Sequence, residues 1–242
     1  IVRLVGSEMC IRDRRLPIKS EYTIDDMADD GVSVLDHLNI ENAHILGISM
    51  GGMIAQIMAS SYPEKTKTFT LIASTASTPS PFNGPSKDVR RLFIERTKNV
   101  DATIEDRVNR TKKLFKLIGY QGIDLDTQEF SDNVKLSIER GGVDDTGFGR
   151  QLTAILGSKN RIEKVRSISA PTLIIHGKED PLIGVKNAYR SNKLIKGSKL
   201  VIIDNMRHLI EPPVFDQFKS DLLAHLKLSL IHISEPTRRT II

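Results

Sequence analysis

The stretch AHILGISMGGMIAQIMAS at residues 43–60 decides the fold, because an apolar strand, a tight turn and a helix follow one another within it. Its centre, Gly47 to Gly51, fits the pattern G-x-S-x-G, in which a serine stands exposed on a sharp strand-to-helix turn. The flanking glycines are expected because side chains there would collide with the neighbouring strand and helix. An ordinary turn can also fit this pattern, but the pattern predicts nucleophilic chemistry at Ser49.

Strands and helices alternate on both sides of this turn. Thr23 and the acidic residues after it predict the start of a helix, which apolar spacing extends to Leu38. Pro63 marks the end of the helix after the turn, and residues 68–73 predict the next strand. Such an alternation with apolar strands is typical of a parallel sheet covered on both faces. Other strands are predicted at 43–46, before the turn, and at 170–176 and 199–203, and a closing helix is predicted at 215–226.

A helical insertion interrupts this alternation. Thr78-Pro79-Ser80-Pro81 reads as a linker, and no strand is predicted from there to about Arg161. The stretch contains amphipathic helices at 87–98, 104–118, 128–139 and 146–155.

Composition indicates one globular domain with this insertion. The chain has 242 residues, of which 39% are hydrophobic and 27% charged. The net charge of +5 comes from scattered basic residues without interleaved aromatics, so nucleic-acid binding is not expected. No apolar run is long enough to span a membrane. The single cysteine, Cys10, excludes an internal disulfide and a cysteine metal cluster.

Both ends of the chain look foreign to a folded protein. Residues 5–13 and 228–237 can be encoded by opposite strands of one DNA sequence, which resembles the adapter of transposon-based sequencing libraries. We therefore predict that 1–13 and 228–242 are translated adapter and exclude them from the fold. The predicted division is a core of 14–78 and 162–227 with an insertion at 79–161.

A serine nucleophile needs a base within hydrogen-bond reach, and the base needs an orienting acid. Asp180 and His208 each follow a predicted strand, so both are expected at the carboxyl edge of the sheet beside Ser49. Glu179 and Asp204 are alternative acids. The other histidines of the core are interpreted as structural or surface residues: His37, His44, His176 and His225.

These motifs resemble the α/β-hydrolase superfamily over roughly residues 22–227. The resemblance is carried by GISMGG at 47–52, PTLIIHGKEDPLI at 171–183 and VIIDNMRH at 201–208, with RQLTAIL at 150–156 adding a likeness to methylesterases. It implies an α/β fold that contains the C-terminal half of the family's parallel sheet, with helices on both faces and a helical cap. By this resemblance, Ser49 is the nucleophile, His208 is the general base and then the general acid, and Asp180 is the orienting acid. Gly47 and Gly51 are the glycines of the sharp turn that carries the nucleophile, the nucleophile elbow. The backbone N–H of Met50 is an oxyanion donor.

The same resemblance implies hydrolysis of a small carboxylic ester or lactone without a metal or cofactor. Nucleic-acid and membrane partners are not expected, the location is expected to be cytoplasmic, and the oligomeric state stays open. A serine nucleophile excludes the branches that use aspartate. Carbon–carbon hydrolases, thioesterases and a non-catalytic binding protein on the same fold remain alternatives. Five phenylalanines either line the substrate pocket or form the core of the cap: Phe82, Phe93, Phe115, Phe130 and Phe148.

The chain departs from the family pattern at two places. Arg207 stands where glycine is usual before the histidine, so its side chain is expected to alter the His208 loop or to enter the pocket. Nothing before Tyr22 resembles the family's first strands or the His-Gly loop that supplies a second oxyanion donor. We therefore expect an exposed sheet edge at 43–46, poor folding and turnover reduced by on the order of 10²–10³.

Overall fold

The computed structural model describes residues 21–77, 84–98, 102–141, 146–158 and 160–231. The predicted adapter segment 1–13 and Phe82 lie outside these residues. Of the second predicted adapter segment, the described part extends to Ile231 and continues a helix.

Four parallel strands form one sheet in the order β1-β2-β3-β4 within the described residues. Ile48 pairs with Ile72, Ile72 with Ile175, and Gly177 with Ile203, so the carboxyl ends of the strands meet along one edge. Loops that carry chemistry in open parallel sheets start from this edge. The strands are β1 (Ala43–Ile48), β2 (Thr66–Ile72), β3 (Thr172–Gly177) and β4 (Lys199–Ile203).

Helices cover both faces of the sheet, as the sequence predicts. Successive side chains of a strand point to opposite faces. In β3, Ile174 packs into one apolar cluster, while Leu173 and Ile175 pack into the other. The helices of the core are α1 (Ile24–His37), α2 (Met50–Ser61), α7 (Ile162–Arg166), α8 (Lys186–Leu194) and α9 (Pro212–Ile231).

The start of α1 follows from its first residues. The Thr23 hydroxyl accepts from the N–H of Asp26 at 3.1 Å, and the Asp26 carboxylate accepts from the N–H of Thr23 at 2.7 Å. This reciprocal pair satisfies two N–H groups that the first turn leaves open. Ile24, Ala28 and Val32 then keep helical spacing and are buried in an apolar cluster that also contains residues of α2.

Of the five described helices between β2 and β3, the first four lie where the sequence predicts the insertion. Their bounds agree with the predicted ranges to within two residues. These four helices together are called the insertion: α3 (Lys87–Lys98), α4 (Ile104–Ile118), α5 (Gln128–Gly141) and α6 (Thr146–Gly157).

The apolar pattern did not reveal α7 and α8. The first is only five residues long, too short for a helical period to show. The second buries Asn187, Ala188 and Ser191, so small and polar side chains stand where an apolar stripe would be expected. The closing helix α9 also begins earlier than predicted, because Pro212 and Pro213 fit the first turn of a helix.

The outer side of β1 is an edge of the described sheet. Leu46 is 45% exposed and Ile48 41% exposed, although the alternate residues Ile45 and Gly47 are buried. This is the exposed apolar edge that the sequence predicts. Among the described helices, none combines the length and apolar character that a membrane crossing requires.

Candidate active site

Ser49 occupies the turn between β1 and α2 in a strained conformation. Its φ of 54° and ψ of −119° lie in a region that non-glycine residues rarely adopt. Such strain costs roughly 1–3 kcal/mol and persists only where neighbours enforce it. The N–H of Ser49 donates to Ile72 O at 3.0 Å, and the Ser74 hydroxyl donates to Ser49 O at 2.7 Å.

The structure shows the expected collision at one of the two glycines beside Ser49, Gly47, but not at Gly51. A Cβ on Gly47 would lie 2.2 Å from Gly51 O, so a side chain there would collide with the start of α2. A Cβ on Gly51 would meet nothing within 4 Å, so the expected collision at this position is wrong. The second constrained glycine is instead Gly52, whose Cβ would lie 2.6 Å from Ser74 Cβ. A side chain is therefore sterically excluded at Gly47 and at Gly52.

The structure brings Ser49, His208 and Asp180 together in one chain of hydrogen bonds. Ser49 Oγ lies 2.9 Å from His208 Nε2, and His208 Nδ1 lies 2.8 Å from Asp180 Oδ2. With the proton of the neutral imidazole on Nδ1, that N–H donates to Asp180 and Nε2 accepts from the serine hydroxyl. Asp180 is 5% exposed and His208 4% exposed, so water hardly competes for these bonds.

Asp180 is held by its own loop. Its Oδ1 accepts from the N–H of Leu182 at 2.8 Å and from that of Ile183 at 2.9 Å, which leaves Oδ2 for His208. The alternative acids do not reach the imidazole. The Asp204 side chain is 83% exposed and binds Lys178 at 2.7 Å, and Glu179 is directed to Arg207 at 3.9 Å. Of the three acids considered, Asp180 is the one beside His208.

A cavity of about 300 Å³ opens beside Ser49. Phe93 and Phe148 meet edge to face with ring centres 5.2 Å apart, and Arg96 stacks 4.3 Å from the centre of Phe148. Most of the wall is apolar, and α3, α4 and α6 supply much of it. The residues that line it are Ser49, Met50, Met53, Thr75, Ser77, Gly84, Pro85, Phe93, Arg96, Leu114, Ile118, Phe148, Gln151, Leu152, Ile155, Leu156, Leu182 and Ile183.

The two remaining described phenylalanines of the insertion lie elsewhere. Phe115 and Phe130 pack edge to face with centres 5.2 Å apart and line a separate space between α3, α4 and α5. Two of the predicted pocket residues therefore line the cavity at Ser49, and two pack within the insertion.

Comparison with known proteins agrees with this architecture. A family model described as "alpha/beta hydrolase fold" matches residues 10–210. The chain belongs to the α/β-hydrolase family. Rhodomycin D methylesterase from Streptomyces peucetius is 24% identical over 225 residues, which cover 87% of this chain and 75% of that protein.

Two solved structures share the fold at lower identity. The enol-lactonase from Burkholderia xenovorans superposes with a TM-score of 0.66 at 20% identity, covering 86% of this chain and 75% of that one. The meta-cleavage product hydrolase from Pseudomonas fluorescens superposes with a TM-score of 0.67 at 22% identity, covering 88% and 75%. At these identities the likeness concerns the fold of this α/β-hydrolase.

The four other described histidines of this α/β-hydrolase have the structural or surface positions that the sequence predicts. His176 is 1% exposed; its Nε2 donates to Ile183 O at 2.7 Å and lies 3.5 Å from Asp180 Oδ2. His225 Nε2 donates to Phe69 O at 3.1 Å, and His44 Nδ1 lies 2.9 Å from Thr68 Oγ1. His37 is exposed at the end of α1.

The buried histidines make the stability of this α/β-hydrolase depend on pH. Burial lowers the pKa of His176 and of His225 below the ordinary value of 6.5, although a backbone carbonyl bond opposes the effect in each. The unfolded chain then binds more protons than the folded one near pH 6. Stability from these groups is fully present above about pH 6.5 and declines as the pH falls toward their depressed pKa values.

We expect the free energy of unfolding in urea to fall between pH 7.5 and pH 5.5. His225→Gln should reduce this slope by at most about 1.4 kcal/mol per pH unit, because it removes one titrating group. An identical slope in His225→Gln and the unaltered chain would contradict this assignment.

Three residues at or near this site were not predicted from the sequence. Gly177 ends β3, and a Cβ there would lie 2.1 Å from Arg207 O, so the absence of a side chain lets the His208 loop approach β3. Ser77 lines the cavity, and its buried hydroxyl has no hydrogen-bond partner among the described residues. No local pattern marks it, since a lone serine after a strand is common.

The third residue is Arg161, which is buried at the junction of core and insertion. Its guanidinium donates to Gln56 Oε1 at 3.2 Å, Ser158 Oγ at 2.9 Å and Thr75 O at 3.1 Å. Burial lowers the pKa of Arg161 to about 10, so the side chain stays protonated at neutral pH. It joins the segment that leaves β2 to the segment that follows α6.

Arg207 does not line the cavity at Ser49. Its guanidinium instead contacts the end of α4, so of the two expected effects the structure favours the one on the His208 loop. Within the described residues, no three His, Cys, Asp or Glu side chains converge as a metal site would require.

Proposed function

We propose that this α/β-hydrolase is a serine hydrolase that cleaves a carboxylic ester or lactone through an acyl-enzyme. The observation that carries the proposal is the 2.9 Å contact between Ser49 Oγ and His208 Nε2, with Asp180 bound behind the imidazole. A serine hydroxyl becomes a competent nucleophile when such a base takes its proton.

In the first step, Ser49 Oγ attacks the substrate carbonyl carbon while His208 Nε2 takes the hydroxyl proton. The imidazolium is stabilised by Asp180. The carbonyl oxygen becomes an oxyanion, to which the N–H of Met50 donates. As the first residue of α2, Met50 has no carbonyl of that helix to bind.

In the second step, His208 donates this proton to the ester oxygen of the leaving group as the bond between that oxygen and the carbonyl carbon breaks. A free alcohol leaves, or, from a lactone, the hydroxyl end of the opened ring. Water then attacks the acyl-enzyme, His208 takes its proton and returns it to Ser49, and the carboxylic acid is released. These steps need no metal or cofactor.

The cavity and the relatives support the proposed substrate class. A mostly apolar space of about 300 Å³ suits a small acyl or alcohol group. By their names, one relative is a methylesterase and one structural neighbour an enol-lactonase. We further propose that the insertion acts as a cap, because its side chains form much of the cavity wall and would limit the access of water to the acyl-enzyme.

Labelling with a fluorophosphonate probe tests the proposal. The probe should attach to Ser49, and mass spectrometry of the digested protein should find the adduct on the peptide that contains residue 49. Prior treatment with an ester substrate should slow the labelling. Lack of a label in protein shown to be folded by circular dichroism would reject serine catalysis and favour a binding role for the same cavity.

A substrate panel then refines the class. Hydrolysis of p-nitrophenyl butyrate and of a small lactone, measured beside a thioester of the same acid, should favour the oxygen esters. Preference for the thioester would replace the proposed substrate class while leaving the nucleophile in place.

A further inference from the structure

The C-terminal end of α4 lies directly on the loop that carries His208. The last four carbonyl groups of a helix have no partner within that helix. In α4, Phe115 O accepts from the N–H of Gly119 at 2.8 Å. The carbonyl groups of residues 116–118 accept hydrogen bonds from residues 207–209 of the His208 loop.

Arg207 binds the first two of these carbonyl groups. Its Nη1 donates to Lys116 O at 3.1 Å and to Leu117 O at 2.9 Å. A cation at a helix C-terminus also interacts favourably with the helix dipole. Arg207 Nε lies 3.9 Å from the carboxylate of Glu179, whose side chain is 57% exposed, so that ion pair contributes little. The guanidinium is therefore held mainly by α4.

The backbone of the next two residues binds the third carbonyl group. The N–H groups of His208 and Leu209 donate to Ile118 O at 2.8 Å and 3.2 Å. The imidazole of His208 is meanwhile bound to Ser49 and Asp180. His208 is thus anchored at its backbone by the insertion and at its ring by the residues of the sheet edge.

The same helix forms part of the cavity wall. Leu114 and Ile118 of α4 line the cavity beside Ser49. Ile118 therefore contacts the cavity through its side chain and His208 through its carbonyl group. A shift of α4 would displace the backbone that carries the imidazole.

We propose that Arg207 is a positioning residue for His208. By binding the carbonyl groups of Lys116 and Leu117, it keeps the His208 loop seated on α4 and the imidazole within reach of Ser49. The role of this contact in turnover rests on the proposed function. A glycine at position 207, which the family pattern leads one to expect, has no side chain to make these contacts.

Hydrogen exchange tests the contact without any substrate. In Arg207→Met, which keeps the length of the side chain but removes its donors, the amides of His208 and Leu209 should exchange roughly tenfold faster. Arg207→Lys, which keeps the charge and N–H donors, should recover most of the protection. Glu179→Gln and Arg166→Ala, the latter a surface arginine paired with Glu163, are matched controls and should leave the exchange unchanged. Unchanged exchange in Arg207→Met, or an equal increase in Glu179→Gln, would overturn the proposal.

Active-site titration then separates positioning from folding. His208 takes a proton from Ser49 and later from water whatever the leaving group is, so a misplaced imidazole slows hydrolysis of every ester. In Arg207→Met, kcat per site titrated to completion with the fluorophosphonate probe should fall about tenfold for both a methyl and a p-nitrophenyl ester. A loss of turnover that only matches the loss of titrated sites would indicate a smaller folded fraction and overturn a positioning role.

Failure of the proposed function is recognised separately. Unaltered protein that neither hydrolyses the esters nor reacts with the fluorophosphonate probe would reject serine catalysis, while the exchange rates still decide whether Arg207 holds the His208 loop on α4.

Discussion

Replacing Ser49 by alanine is expected to lower kcat for ester hydrolysis by on the order of 10⁶-fold, because the covalent pathway then has no nucleophile. Ser49 Oγ is the atom bound to His208 Nε2, and the variant leaves that nitrogen without its partner. The backbone of residue 49 and the N–H of Met50 remain, so a small rate above that in water should persist. The measurement is the initial rate with p-nitrophenyl butyrate, together with loss of fluorophosphonate labelling.

Ser60→Ala is the matched control for this substitution. Ser60 lies in α2, the helix that follows Ser49. Its hydroxyl donates to Ile57 O at 3.1 Å and not to Ser49, Asp180 or His208. It should retain the unaltered rate. Residual turnover above about 1% in Ser49→Ala, with the unaltered fold, would assign the reaction to a different nucleophile.

Asp180→Asn is expected to reduce kcat about 10⁴-fold with little change in KM. The two N–H groups of Leu182 and Ile183 both donate to Oδ1, so the amide oxygen of asparagine has to occupy that position. Its NH2 group then faces His208 Nδ1, which has to accept instead of donate. The imidazole proton moves to Nε2, and Nε2 can no longer accept the hydroxyl proton of Ser49.

Asp204→Asn is the control for charge alone. Asp204 also follows a strand, and its side chain is 83% exposed and paired with Lys178. It should leave kcat within about twofold of the unaltered value, since an exposed ion pair contributes little. Comparable losses in both variants would mean that a general loss of negative charge, rather than the tautomer of His208, lowers the rate.

Local sequence patterns predicted the sheet correctly, and they pointed to Ser49, Asp180 and His208, which the structure brings together. The strands are short apolar runs, and the turn at Ser49 has a five-residue signature, so neighbouring residues specify both. The position of Asp180 also follows from a local pattern, because it comes directly after β3. The roles of Ser49, Asp180 and His208 remain predictions.

Long-range contacts could not be read in this way. Arg161 and Gln56 are 105 positions apart, and Arg207 and Lys116 are 91 positions apart. No periodicity in the chain records which distant carbonyl group a guanidinium will meet. The steric role of Gly51 was predicted wrongly for a related reason: the collision depends on how α2 packs on the sheet, and that packing constrains Gly52.

The buried guanidinium of Arg161 has a consequence for how this chain can be re-engineered. It holds the segment at Thr75 and the segment at Ser158 next to each other through groups that lie outside helices α3 to α6. A replacement segment joined to the chain near Thr75 and near Ser158 would connect two ends whose separation the Arg161 contacts already fix. The graft would still need one helix that ends at the position of Ile118, because the His208 loop requires three carbonyl acceptors there. New substrate specificities can therefore be introduced by exchanging the segment between Thr75 and Ser158, provided that the new segment keeps a helix end that binds the His208 loop.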